Sequence, residues 1–320
     1  HKLKGGILSA GAKITYRSND IYHRFYVASG DEWEYSDVLS NDLLHTEIIP
    51  AVYAMFSSRM GKKLTYKVGI RGEYSSVTLD SRHEDLGERK NSFFFAPSLS
   101  GTYMLSANQD FSLLLSRRVG RPTYPQLNPY MSMVDATTYE QGNVHLQPEI
   151  STKFDLSYNL RSEYITLFAN GYLNYVNDYI SQITTLSDGK LITTYVNADC
   201  DFRKGVDLTL KITPTDRVNF SLGSNTYHVS TEGIYEGADI DNDGWTNNST
   251  FMLDIMPWRT TDIQLQYYLT TPQYYPQLTT SFSHQMNFGL KQRLYNDALA
   301  LSLLVTEAWN TARWKISSRN

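Results

Sequence analysis

The chain has 320 residues, 41% of them apolar and only 19% charged, which excludes general disorder and leaves ample surface for a core or a buried face. Its 29 basic and 33 acidic residues give a net charge of -4, so the sequence predicts no nucleic-acid partner. One cysteine, Cys200, excludes an internal disulfide and any multi-cysteine metal or iron–sulfur site.

The aromatic share is high at 13%, with 24 tyrosines against 13 phenylalanines and 5 tryptophans. Tyrosine joins an apolar ring to a wet hydroxyl, so many positions are expected on a boundary between apolar and aqueous surroundings. The longest apolar run, Ile48 to Phe56, is half of what a membrane helix needs. The start at His1 carries neither a basic nor an apolar leader region, so a signal peptide is expected to be absent or already removed.

In almost every ordered stretch the hydrophobic period is two. Leu64, Tyr66, Val68 and Ile70 alternate with Thr65, Lys67, Gly69 and Arg71; Phe154, Leu156, Tyr158 and Leu160 alternate with Asp155, Ser157 and Asn159. The same split separates Leu208 and Leu210 from Asp207 and Lys211, and Leu265 from Gln264. In chain order the pattern predicts about thirteen strands, at 5–17, 43–58, 64–78, 92–105, 110–118, 148–160, 164–178, 191–212, 217–229, 247–257, 261–270, 281–294 and 297–306. Short turns near 61, 108, 162, 215, 259 and 296 alternate with longer connections at about 18–42, 79–91, 119–147, 179–190, 230–246 and 271–280.

A meander with tight turns on one rim and long loops on the other is the pattern of an outer-membrane barrel. It predicts an all-β, antiparallel up-and-down transmembrane barrel with no parallel pair, in the cell outer membrane and in contact with its lipid. Two aromatic girdles are expected: Phe56, Tyr66, Tyr103, Phe111, Tyr164, Trp258 and Tyr295 near the turns, and Tyr74, Phe93, Tyr175, Tyr195, Tyr227 and Phe251 towards the loops. Pro50 and Pro97 cannot donate to a ladder, so each is expected at a bulge or above the bilayer.

Several segments then resemble the barrels of TonB-dependent outer-membrane receptors. Gly142-Asn143-Val144-His145-Leu146-Gln147-Pro148-Glu149-Ile150-Ser151 is similar to their G-N-P-x-L-K-P-E-x-S stretch, with Val144 for the usual Pro and Gln147 for the usual Lys. Arg118 to Tyr130 resembles R-x-x-R-P-x-Y-x-x-L-N-P-F, Phe168 to Ile183 a later strand, Tyr195-Val196-Asn197-Ala198 with Gly205-Val206-Asp207-Leu208 another, and Glu307-Ala308-Trp309-Asn310-Thr311 the terminal D-x-F-N-T. The resemblance implies a 22-stranded barrel holding a plug, of which residues 1–320 would be the C-terminal portion, with the plug and the first strands absent from this chain and one strand to follow Asn320. It implies energised uptake of an unidentified solute, with TonB as partner through the absent N-terminal region. A passive porin, a platform for a surface lipoprotein, and a soluble all-β carbohydrate-binding or hydrolytic protein are the alternatives.

No catalytic constellation is present: there is no nucleophile elbow, P-loop or dinucleotide fingerprint, and the seven histidines are scattered. The loop tyrosines Tyr124, Tyr130, Tyr274 and Tyr275 are the candidate ligand-binding residues, since a phenol ring can stack on a sugar or grip an apolar ligand; capping the rim is the alternative. Asp239, Asp241 and Asp243, followed by Gly244, fit the first half of a calcium loop. Thr250 stands where the bidentate glutamate should be, so an ordinary acidic loop competes with Ca2+ binding.

Overall fold

The computed structural model describes residues 2–3, 5–36, 40–81, 87–309, 311–313 and 315–318. His1, His83, Asn310 and Asn320 lie outside the described residues.

The main sheet is a meander of long strands: β1 (Gly6–His23), β2 (Asn41–Met60), β3 (Leu64–Asp80), β4 (Gly87–Ser106), β5 (Gln109–Gly120), β6 (Glu149–Arg161), β7 (Ile165–Ser187), β8 (Lys190–Thr215), β9 (Val218–Glu232), β10 (Asn242–Trp258), β11 (Thr261–Thr270), β12 (Ser283–Leu294) and β13 (Leu299–Val305). Each pairs antiparallel with its chain neighbours. The six short turns therefore share one rim. Lys2–Leu3 folds back on the start of β1, and among the described residues no ladder joins β13 to β1.

The ladders carry the period-two pattern across the sheet. Starting at Arg59, successive cross-strand partners are Thr65, Thr102, Ser112, Ser157, Asn170, Asp207, Asn225, Asn248, Thr270 and Ser283, all polar. One residue away, Met60 leads through Leu64, Tyr103, Phe111, Tyr158 and Ala169 to Leu208. A one-residue slip would exchange these faces, so burying or lipid-facing one of them fixes the register. The polar row starts beside the short turn after β2 and ends at the opposite rim, the stagger that tilted barrel strands require. Lys67, Arg71, Asp155, Asp207 and Gln264 share the polar, inner face, and Tyr66, Val68, Ile70, Leu156, Tyr158, Leu208, Leu210, Leu265 and Leu301 the outer one, as the alternation predicts.

Three expectations need correction, and of the two placements expected for the prolines one falls away. The connection predicted at 179–190 is a two-residue turn, because β7 and β8 continue for 23 and 26 residues as a ribbon closed by Asp188 and Gly189, both at positive φ. Asp-Gly supplies the left-handed pair that a tight hairpin needs. A parallel pair does exist: Thr138–Gln141, inside the 121–148 connection, lies parallel to the start of β8, outside the meander itself. Tyr195 and Tyr227 leave the upper girdle, since the Tyr195 hydroxyl reaches Glu140 and Tyr227 shares the inner row of Gly205 and Thr246. Neither Pro50 nor Pro97 makes a bulge. The β2–β3 ladder skips Ile49 and Pro50 without changing register, and the β4–β5 ladder begins one residue after Pro97.

The wall is one sheet thick, so the buried cores lie on the long-connection side. Leu43, Leu79, Leu127 and Leu146 form one, and Ile183, Val196, Ala198 and Ile240 the other. Both are made by connections folding against the upper ends of strands.

Candidate functional site

The long-connection rim is built by the segment 121–148. At its start Arg121 places Nη2 at 2.6 Å from Glu73 Oε2 and Nε at 3.8 Å from Glu47 Oε1. Arg71 holds the second Glu73 oxygen at 2.5 Å, and Arg17 meets Glu47 at 3.0 Å. The side chains of Glu47 and Glu73 are only 4% and 11% exposed, so both carboxylates depend on their guanidinium partners, of which Arg121 is 18% exposed while Arg17, at 63%, stays in water. Arg121 thus pins the connection to the inner wall.

A single helical turn, α1 (Tyr124–Leu127), follows, opened by Thr123, whose N–H donates to Gln126 Oε1 at 2.8 Å. Its far side accepts the returning chain: Gly142 donates to the Asn128 carbonyl and Asn143 to that of Gln126, each at 2.7 Å. A side chain at Gly142 would lie 2.6 Å from backbone atoms of Asn128 and Pro125, so this crossing admits only glycine. Asn143 Nδ2 then donates to the Tyr195 carbonyl at 3.0 Å, and Gln147 pairs through its backbone with the Asn197 amide. The Tyr195 hydroxyl donates to Glu140 Oε1 at 2.7 Å. Burial, and then the Glu140 carboxylate, push the Tyr195 phenol up to about 12.

The predicted ligand tyrosines fall into two places. Tyr124 and Tyr130 pack on the Leu43–Leu79–Leu127–Leu146 cluster. The Tyr130 hydroxyl donates to Ser81 Oγ, the Tyr124 ring lies 6.5 Å from that of His45, and burial raises the Tyr124 phenol. These two hold the connection down. Tyr274 and Tyr275 lie on a separate hairpin, Tyr274–Tyr275 with Leu278–Thr280. The Tyr274 ring occupies the space over Gly244, whereas Tyr275 leaves half its surface open.

The three aspartates follow an extended chain. Asp239 ends the short strand Ala238–Asp239, Asp241 Oδ1 accepts the Gly233 N–H at 2.8 Å, and Asp243 lies in β10 with its carboxylate 3.5 Å from His228 Nε2. Ile240 and Asn242 between them are buried. Among the described residues no group of three or more His, Cys, Asp or Glu side chains is arranged to hold a metal ion. At Gly244 the ring of Tyr274 takes the space that a side chain would occupy.

Two hollows complete the site. One, about 480 Å³, lies on the inner wall among Arg118, Lys153, Tyr172, Asn174, Arg203 and Asp207. The other, about 440 Å³, lies at the top of β1 and β2 and includes Asn41, a residue that periodicity does not mark.

A family model described as the outer membrane protein beta-barrel family matches residues 1–320. None of the curated proteins matches the chain. Among solved structures, the copper transporter OprC superposes with a TM-score of 0.69 at 11% identity, over 97% of this chain and 50% of its own. The FrpB iron transporter from Neisseria meningitidis (F3-3 variant) gives 0.65 at 14% identity, over 100% of this chain and 50% of its own. The siderophore receptor PiuA from Acinetobacter baumannii gives 0.65 at 10%, over 98% and 51%. At such identities the likeness is one of fold, and the chain spans about half the length of these structures.

Proposed function

The chain belongs to the outer membrane protein beta-barrel family, and from that premise we propose that it supplies wall and capture loops of an outer-membrane receptor for energised, TonB-driven uptake of a scarce solute. The supporting observation is the seating of residues 121–148 on the inner face, through Arg121, Leu127, Leu146 and the ribbon of β7 and β8. A passive pore needs an open mouth. A connection buried against the inner face suits a mouth that closes on a ligand and opens only when driven.

Among the described residues, the outer edges of β13 and of β1 beyond its short pairing with Lys2–Leu3 carry no ladder, which favours completion by further strands, because a bilayer offers no water to an open ladder. This chain is accordingly one portion of a larger barrel, with plug and TonB contact supplied elsewhere in the protein. Tyr275 is the ring of the four best placed to meet a ligand. The test is accumulation of labelled solutes by cells with and without the gene, over a panel of ferric siderophores, copper complexes and oligosaccharides. Loss of one class, reproduced when the inner-membrane proton gradient is collapsed, is the expected result. Uptake indifferent to the gradient, with open conductance in planar bilayers, would make the protein a passive pore.

A further inference from the structure

The outer wall carries a hollow of about 460 Å³ that no step above uses. Its sides are apolar, from Phe154, Leu156, Leu173, Val206 and Trp245, and Lys204 is the charged residue of its lining. These side chains open outward: Leu156, Leu173 and Val206 are each about half exposed, and Trp245 is 60% exposed. Leu156, Gly171, Val206 and Thr226 are successive ladder partners across β6 to β9, and Leu173, Lys204, His228 and Trp245 form the next outward row towards the long connections.

Gly171 makes the floor. Glycine inside a strand weakens it, and marks a bulge, a sharp bend or a place where another group comes close. The ladders of β7 with β6 and with β8 pass Gly171 without a change of register, and its φ is outside the left-handed region. A Cβ built there would meet no protein atom within 4 Å. No other part of the chain fills the recess, so it is open to a group from outside the protein.

Lys204 sets the chemistry of that group. It stands eleven positions from Thr215, where β8 ends at its short turn, and a tilted strand crosses the hydrocarbon in about 9–11 residues. Lys204 therefore lies at the far boundary of the apolar band, where an outward cation meets lipid headgroups. Its ammonium is 5.9 Å from the Phe202 ring, and among the described residues no carboxylate pairs with it. The neighbouring His228 faces Asp243 instead, at 3.5 Å. An unpaired ammonium complements a phosphate, and the apolar recess beside it, on the short-turn side, complements an acyl chain.

We infer that this hollow seats an anionic lipid of the surrounding membrane, with its phosphate on Lys204 and an acyl chain over Gly171 against Leu156 and Val206. The inference goes beyond the uptake reading and rests only on the outer face of the wall meeting lipid.

The test uses the full-length protein, stripped of lipid in a neutral detergent and titrated with phosphatidylglycerol, lipid A or phosphatidylcholine while native mass spectrometry counts the lipid retained. At least one of the two anionic lipids should bind about tenfold more tightly than phosphatidylcholine, whose phosphate is offset by a fixed positive charge. Lys204→Gln and Gly171→Leu should each weaken that binding about tenfold, the first by removing the charge and the second by filling the recess. Heat-modifiable gel migration checks that the variants fold; Lys204, an exposed side chain, carries the test if Gly171→Leu does not. Equal binding of all three lipids, anionic binding untouched by the folded variants, or displacement of the lipid by inorganic phosphate alone would overturn the assignment.

Discussion

Asn197 clasps the backbone of Gln147 from both sides: its Oδ1 accepts the Gln147 N–H at 2.8 Å, and its Nδ2 donates to the Gln147 carbonyl at 3.0 Å. The two residues belong to different receptor-like segments, fifty positions apart, so a resemblance spread along the sequence closes into one contact. Nδ2 also reaches the Asp178 carbonyl at 2.7 Å, where Asp178 takes a positive φ in β7. Asn197→Ala removes all three bonds. It should cost about 1–3 kcal/mol, felt mainly in the docking of 121–148. Limited proteolysis of folded protein should then cut that connection faster, and an unchanged rate would deny the clasp its role.

Arg121→Met tests the ion network. It leaves Glu47, with a side chain 4% exposed, relying on Arg17 alone, and Glu73 on Arg71. Breaking one partner from a buried network costs about 3–5 kcal/mol. Joint replacement with Glu73→Leu should recover part of that loss, because the uncompensated charge goes with it. Thermal melts of the single and double variants in detergent measure the difference.

The strand order, the two faces and the side of the short turns were legible in the sequence because a ladder forces alternation: Val68 and Lys67 cannot share a face. Tyr195 and Tyr227 misled because alternation divides the faces without saying which aromatics belong to the inner one. Periodicity does not mark the Asp188-Gly189 hairpin because the run Ile183 to Leu191 breaks the period, although Asp-Gly is a turn pair. The roles of Tyr124, Tyr130 and Gly244 depend on Leu43, Ser81 and Tyr274, each from a distant element, and no local pattern carries such contacts. Asn41 is a further case, since what distinguishes it is the lack of a partner in the folded chain.

Gly142→Ala should be poorly tolerated for a reason unrelated to flexibility. The added methyl would meet the Asn128 N–H and C=O and the Pro125 carbonyl at 2.6 Å, all backbone and unable to rotate away. Overpacking of this kind costs about 1–3 kcal/mol. The measurement is the yield of heat-modifiable, folded protein from outer membranes; full recovery would mean that the crossing of 128 and 142 is looser than the structure shows.

Tyr195 gives a pH signature outside the membrane. Its phenol is raised from 10.0 to about 12, so between these values the folded protein holds a proton that the unfolded chain has released. The stability it contributes is therefore complete below pH 10 and lost as the pH rises towards 12. Alkaline difference spectra of wild type against Tyr195→Phe should show one phenol titrating near the upper value. A missing component titrating at 10 would contradict the Glu140 contact.

Leu114 and Leu115 give the sharpest test of the wall. They are adjacent and chemically identical, but Leu115 pairs with Leu99 and Phe154 on the outer face, while Leu114 pairs with Ser100 and Asp155 on the inner one. Arginine on the lipid face near the bilayer midplane costs about 2–4 kcal/mol, because hydrocarbon cannot solvate the guanidinium. Leu115→Arg should lower folded protein in the outer membrane sharply. At Leu114 the same substitution meets an aqueous lumen and the Asp155 carboxylate, and should leave assembly close to wild type. Equal damage from both would show that the two faces are not lipid and water. The reverse order, with Leu114→Arg worse, would show that the sheet is turned inside out, and with it every inner-face assignment from Lys67 to Gln264.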